Sequence, residues 1–137
     1  MTMKAERPQL LEGLLVLDCS ILGSGLAGGL LADLGARVIK IESRTGDDLR
    51  RVTWPIIHER NELGEITSNS LFHLHVNRSK ESLNLDLSVP EAIQVFEDLV
   101  RRADVVIEGM RPRFLERKGL TFERLVELNP SVVMCSI

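Results

Sequence analysis

The sequence predicts an α/β fold, a parallel sheet with helices packed on its faces, and three observations carry the prediction. Short apolar runs alternate with segments of helical period along the chain, the pattern of βαβ units. Two of those runs, Leu14–Leu17 and Val105–Ile107, show no polar alternation, as expected of strands covered on both faces. The length, 137 residues, is that of one ordinary domain.

Each element has its own local reason. Leu14–Leu17 is the first strand, and Val38–Ile41, broken only by Lys40, is the second. Ser82–Leu87 alternates, putting Leu83, Leu85 and Leu87 on one face of a third strand. Val105–Ile107 and Val132–Met134 complete five. Ser88 precedes Pro90 and Glu91 at capping-box spacing, and Val89, Ile93, Phe96, Val100 and Ala103 then recur near helical period. Thr121 is placed to cap a second helix holding Phe122, Leu125, Val126 and Leu128, which Pro130 ends. The polar, irregular stretch from Glu42 to Glu65 carries the only tryptophan, Trp54, and predicts a long loop or insertion with a functional role.

Lys plus Arg number 17 and Asp plus Glu 20, a net charge of −3 without the basic excess of a nucleic-acid binder. No apolar run approaches the roughly 18 residues that span a bilayer. Met1–Gln9, an expected N-terminal tail, lacks the apolar core of a secretory signal, so a soluble cytoplasmic protein is expected. Cys19 and Cys135 form no CxxC pair and are expected as buried free thiols. Ser131–Ile137 reads as a strand followed by no turn, charged tail or cap, which predicts a domain of residues 10–137 cut from a longer protein.

After the first strand, Gly23-Ser24-Gly25-Leu26-Ala27-Gly28 satisfies GxGxxG, and Glu42 ends the second strand. Taken literally this is a dinucleotide-binding fingerprint. Its spacing differs, because Asp18 to Leu22 intervene before the first glycine and Glu42 stands only 14 residues beyond Gly28. Two other readings stand beside it: a turn facing the phosphates of another cofactor, and glycines that let a helix pack closely on the sheet.

The wider string is more specific. Gly13–Asp18 leads into the glycine turn and Leu30–Glu42 follows; Asn77–Lys80, Ser82–Asp86, Arg102–Glu108, Arg111-Pro112, Arg117–Leu120 and Leu128–Pro130 come after in order. This string resembles the N-terminal part of the family III CoA-transferases, which include formyl-CoA and carnitine CoA-transferases and the α-methylacyl-CoA racemases. The resemblance runs from about Leu10 to Ile137. It implies a Rossmann-like CoA-binding domain of an enzyme that moves CoA between carboxylic acids through an aspartyl-CoA intermediate. It also implies an interlocked homodimer, acyl-CoA and a carboxylic acid as small-molecule partners, and no metal, membrane or nucleic acid. The catalytic aspartate matches none of Asp18, Asp33, Asp47, Asp48, Asp86 or Asp104 and is expected beyond Ile137, leaving this piece inactive alone. A racemase of the same family, an NAD-binding domain and a non-catalytic interaction module are the alternatives.

CoA carries a pyrophosphate and a ribose phosphate, which call for backbone N–H donors and cations. By the resemblance, Gly23 and Ser24 contact CoA, and Asn77, Arg78, Ser79 and Lys80 flank its nucleotide end, with Lys80 the best-matched cation. Gly109, Met110 and Arg111 fall at the adenine and pantetheine contacts, and Arg117 matches a phosphate-binding arginine. Ser43 stands where the family has arginine, with Arg44 one step along as the substitute. Leu26 replaces a common proline, and Gly109-Met110 a common Asn-Phe pair. On residue type alone, Arg111, Arg113, Arg117 and Lys118 read first as a solvated basic face. His73 and His75 point to different faces of a helix, and Glu42 and Glu108 read as hydrogen-bonding groups at strand ends.

Overall fold

The computed structural model describes residues 9–137, so the expected tail, apart from Gln9, lies outside the described residues. Five parallel strands form the central sheet: β1 (Leu15–Ser20), β2 (Arg37–Glu42), β5 (Glu81–Asn84), β6 (Val105–Gly109) and β7 (Val133–Ser136). Their order, β5-β2-β1-β6-β7, reverses direction at β1 and β6. Open α/β sheets bind ligands at such a switch point, outside the carboxyl ends of the strands. Ser20 and Gly109 are register partners there, so the turn after β1 and the turn after β6 leave the sheet side by side.

The two faces of the sheet are built differently because strand side chains alternate. Leu17, Cys19, Ile39, Ile41 and Val106 face α4 (Pro90–Val100) and α5 (Phe122–Leu128) and bury Phe96, Val100, Leu120 and Leu125 in the larger core. On the opposite face Val16, Val38 and Ile107 meet Ala32 and Ala36 near α1 (Leu26–Asp33). That apolar patch stops halfway up the strands. One step further along, Asp18 and Lys40 are cross-strand partners, both buried, with Ser20 and Glu42 beyond them.

Helix α1 lies close to this face because three glycines remove its side chains where space runs out. A Cβ on Gly28 would lie 2.5 Å from Asp18 Oδ2, one on Gly29 2.6 Å from the Val76 carbonyl, and one on Gly25 2.9 Å from Val76 Cγ1. Val76 belongs to α3 (Leu71–Val76), so these glycines fit α1 between the sheet and α3. Of the readings the sequence left open, close packing is the role the structure gives Gly25, Gly28 and Gly29. Of the four glycines from Gly23 to Gly29, Gly23 alone faces open space.

Several elements differ from expectation. The stretch from Glu42 to Glu65 is not a loop: it holds α2 (Leu49–Val52), β3 (Ile56–Arg60) and a turn, and pairs with β4 (Ile66–Ser70) as an antiparallel hairpin. Asn61 makes that turn, its Oδ1 accepting the amides of Leu63 and Glu65. His58 has a partner across the hairpin, Ser68 Oγ at 2.8 Å from its Nδ1. The third central strand ends at Asn84, because it is an edge strand paired only with β2 and the chain then turns at Asp86. Ser88 does not cap α4: Asp86 Oδ1 accepts the Ser88 amide, and Val89 becomes the residue before the helix, with Pro90 in the first turn as expected. Thr121 does cap α5, accepting from the Arg124 amide. Cys19 is buried, whereas Cys135 is exposed on the edge strand β7, which has a neighbour on one side only. Among the described residues, no helix is long and apolar enough to cross a membrane.

Gly29→Ala is expected to destabilise the protein by about 1–3 kcal/mol, the scale of overpacking against atoms that cannot retreat. Gly23→Ala should stay within about 0.5 kcal/mol, as for substitution in open space. Urea unfolding of the two variants measures the contrast.

Candidate functional site

A cleft of about 390 Å³ opens at the carboxyl ends of β1, β2 and β6, lined in part by Ser20, Ile21, Ser43, Met110, Arg111 and Arg117. The turn after β1 forms its upper edge. Leu22–Gly25 is a single 3₁₀ turn, entered through Leu22, whose φ of 56° lies in the left-handed region that non-glycine residues avoid. Ser24 Oγ donates to the Ile21 carbonyl at 2.6 Å, and a side chain on Gly109 would strike Ser24. A glycine at the end of β6 is therefore what lets the two turns approach, and Gly23, Ser24 and Gly109 come together beside the cleft.

Arg111 and Arg117 are exposed and, among the described residues, paired with no carboxylate. Among the described residues the Arg117 guanidinium donates only to the Pro112 carbonyl, at 3.1 Å, whereas the neighbouring Arg113 is held by Glu116 at 2.8 Å. Arg111 and Arg117 thus present unspent guanidinium donors at the rim of a cleft that is otherwise largely apolar, with Ile21, Ile41, Met110 and Phe114 in its lining. Ser43 is exposed, its Oγ 3.1 Å from both Thr45 Oγ1 and the Gly46 carbonyl, and Arg44 is exposed beside it. A second cleft, about 430 Å³ between β7 and the Arg113–Glu123 segment, is lined by none of the residues expected to contact CoA.

The Asn77–Lys80 segment does not line this cleft, and its polar side chains are engaged within the protein. Lys80 Nζ donates to Asp18 Oδ2 at 2.6 Å, to the Gly25 carbonyl at 2.6 Å and to Asn77 Oδ1 at 2.8 Å. An ammonium has three donors, and all three are used inside the protein. Burial pulls the Lys80 pKa below the ordinary lysine value, against the attraction of Asp18. Arg78 is likewise engaged, by both oxygens of Asp33 and by the His75 carbonyl. Asn77 Nδ2 lies 3.1 Å from Asp47 Oδ2 and 3.0 Å from His73 Nδ1. Ser79, with φ at 60°, is the tight corner that brings these side chains inward.

Sequence reasoning missed the polar cluster beneath the cleft. Lys40 Nζ donates to the Ser20 carbonyl and lies 3.6 Å from Asp47 Oδ2 and 3.9 Å from Asp18 Oδ1. Glu42 accepts from the Asp47 amide at 2.7 Å, Ser82 Oγ at 2.7 Å and Arg50 at 3.2 Å. Although burial alone would raise its pKa, those donors together hold the Glu42 carboxyl below the usual range. The available signal was a lysine and two acids, Asp18, Lys40 and Glu42, at alternate positions of otherwise apolar strands. Among the described residues, no three His, Cys, Asp or Glu side chains converge as metal ligands.

This arrangement can hold an anionic, extended molecule at a strand-end switch point, and comparison with known proteins names the family. The model of CoA-transferase family III matches residues 11–137. The chain belongs to CoA-transferase family III. It is 40% identical to succinate–glutarate CoA-transferase of Agrobacterium fabrum, across 100% of this chain and 34% of that protein. It is 35% identical to formyl-CoA:oxalate CoA-transferase of Streptomyces avermitilis, across 93% of this chain and 29% of the other. A CAIB/BAIF family protein from Brucella suis has the same fold, with a TM-score of 0.83 and 37% identity over 95% of this chain and 33% of that one. The chain therefore spans about a third of the length of these family III relatives.

His73 supplies a pH test of the buried cluster. Burial first, then the Arg50 charge, lowers its pKa from 6.5, while Asp47 and Glu42 oppose the shift. Below pH 6.5 the unfolded chain takes up the His73 proton before the folded protein does, so stability should fall with pH until the folded pKa is passed. The contribution of this one group is at most about 1.4 kcal/mol per pH unit. His73→Gln is expected to flatten that dependence in urea unfolding between pH 7.5 and 5.5.

Proposed function

We propose that this chain is the CoA-holding part of an acyl-CoA transferase that moves CoA between carboxylic acids. The observation that carries the reading is the pair of unspent guanidinium groups, Arg111 and Arg117, beside a largely apolar cleft at the sheet's switch point. CoA has that character: phosphates at one end, a long, weakly polar pantetheine arm, and an adenine ring. In this reading the arginines take the phosphates, the Gly23-Ser24 turn supplies backbone N–H groups, and Met110 lies against the adenine or the arm. Ser43 and Arg44 complete the rim, with Arg44 serving where relatives present arginine one position earlier. Residues 10–137 are the domain in question.

The exchange itself needs a carboxylate nucleophile. Its attack on the acyl thioester expels the CoA thiolate and forms a mixed anhydride; the thiolate then attacks the enzyme's carbonyl, releasing the first acid and leaving an aspartyl-CoA thioester. Asp18 and Asp47 are poor candidates for that nucleophile, because both are buried and ion-paired. The reading therefore assigns the attack to an aspartate outside these residues and assigns this chain no turnover of its own. It extends to a cytoplasmic protein and to a homodimer, the latter supported by exposed Leu22 in the 3₁₀ turn, Leu26 and Leu30 on α1 and Leu34 just after it.

Calorimetric titration tests the reading directly. CoA should bind, and Arg117→Ala or Arg111→Ala should each weaken it by about 1.5–3 kcal/mol, roughly 10- to 150-fold, the scale of a charge-assisted hydrogen bond. Tight NADH binding with no CoA response would establish a dinucleotide domain instead.

A further inference from the structure

The geometry points to Lys40 and Lys80 as positioning residues that grip the glycine turn at its two ends and act on the substrate only through that turn. Lys40 holds the Ser20 carbonyl, just before the turn, and Lys80 holds the Gly25 carbonyl, its last residue. Asp18 stands between the two ammonium groups. Its Oδ2 takes Lys80, and its Oδ1 accepts both the amide and the hydroxyl of Ser20. All three side chains are at most 3% exposed, and Gly28 leaves the space in which Asp18 and Lys80 meet.

Two further facts give the grip its purpose. The turn contains Leu22 at φ 56°, a conformation that persists only where surrounding contacts over-determine it. Buried ion pairs are also a weak source of net stability, because desolvation offsets their attraction. A cluster that contributes little to stability and fastens both ends of a strained turn is one that fixes a conformation. The same bonds explain why Lys80 has no donor left for a phosphate. The role in CoA binding rests on the proposed function above, whereas the grip on the backbone does not.

The test combines hydrogen exchange of the free protein with CoA titration. In the wild type, the amides of residues 24–26 should be protected; exchange at the unprotected rate would overturn the proposal outright. Lys80→Met alone leaves the Asp18 carboxylate buried without its partner, which disfavours folding, so the neutral double variant Asp18→Asn/Lys80→Met accompanies it. There, exchange of residues 24–26 should rise by about tenfold or more while the β1 and β6 amides keep their protection, the pattern of a local opening. The CoA dissociation constant should rise by about tenfold in the same variant. A loss of affinity with unchanged exchange would make Lys80 a direct contact and overturn the grip. Faster exchange with unchanged affinity would overturn the positioning role. Faster exchange in a protein whose wild type binds no CoA would uphold the grip and overturn the proposed function instead.

Discussion

The constraint on which the rest of this structure depends is the placement of charge inside a parallel sheet. Asp18 and Lys40 are cross-strand partners on the face covered by α1, and Lys80, Asp47, Glu42 and Arg50 close around them. Three carboxylates meet three cations, and His73 at their margin is held toward its neutral form. Each charge is tolerable there only because the others are present. The helix above must therefore be thin, the segment before β5 must turn sharply inward, and α2 must dock so that Arg50 and Asp47 arrive together.

The division of labour among the cations follows from their surroundings. Both Lys40 and Lys80 have buried side chains: Lys80 spends all three donors on Asp18, the Gly25 carbonyl and Asn77, and Lys40 donates to the Ser20 carbonyl beside Asp47 and Asp18. Arginines 111 and 117 sit at the rim, where water keeps an unpaired guanidinium inexpensive. In the proposed function these rim guanidinium groups are what an anion would meet, above a floor in which three carboxylates face three cations. The small net charge of −3 conceals this layered arrangement.

Much of the fold was legible in the residues. The runs around Leu17, Ile39 and Val106 announced buried strands, and Thr121 and Pro130 bracketed α5 as their chemistry requires. The hairpin of residues 56–70 was not legible, because its strands are polar and exposed and their pairing rests on a turn set by Asn61. The placement of the candidate site residues was legible in part. Resemblance brought Gly23, Ser24, Gly109, Met110, Arg111 and Arg117 to one end of the sheet, where the structure also puts them. Lys80 instead points to Asp18, the Gly25 carbonyl and Asn77, and sequence shows that a lysine is present but not where its ammonium ends. GxGxxG was ambiguous for a related reason: a missing Cβ serves a close helix as well as a close phosphate, and only the neighbouring atoms tell them apart.

The root of the hairpin has one more consequence. Ser70 Oγ donates to the Leu49 carbonyl, Thr53 Oγ1 donates to Ser70 Oγ, and the Leu71 amide donates to the Pro55 carbonyl. Both legs are thus stitched together at their base, and the turn at the far end touches nothing the sheet relies on. The segment is a cassette: its tip can lengthen, shorten or change in character while the floor beneath the cleft stays where it is.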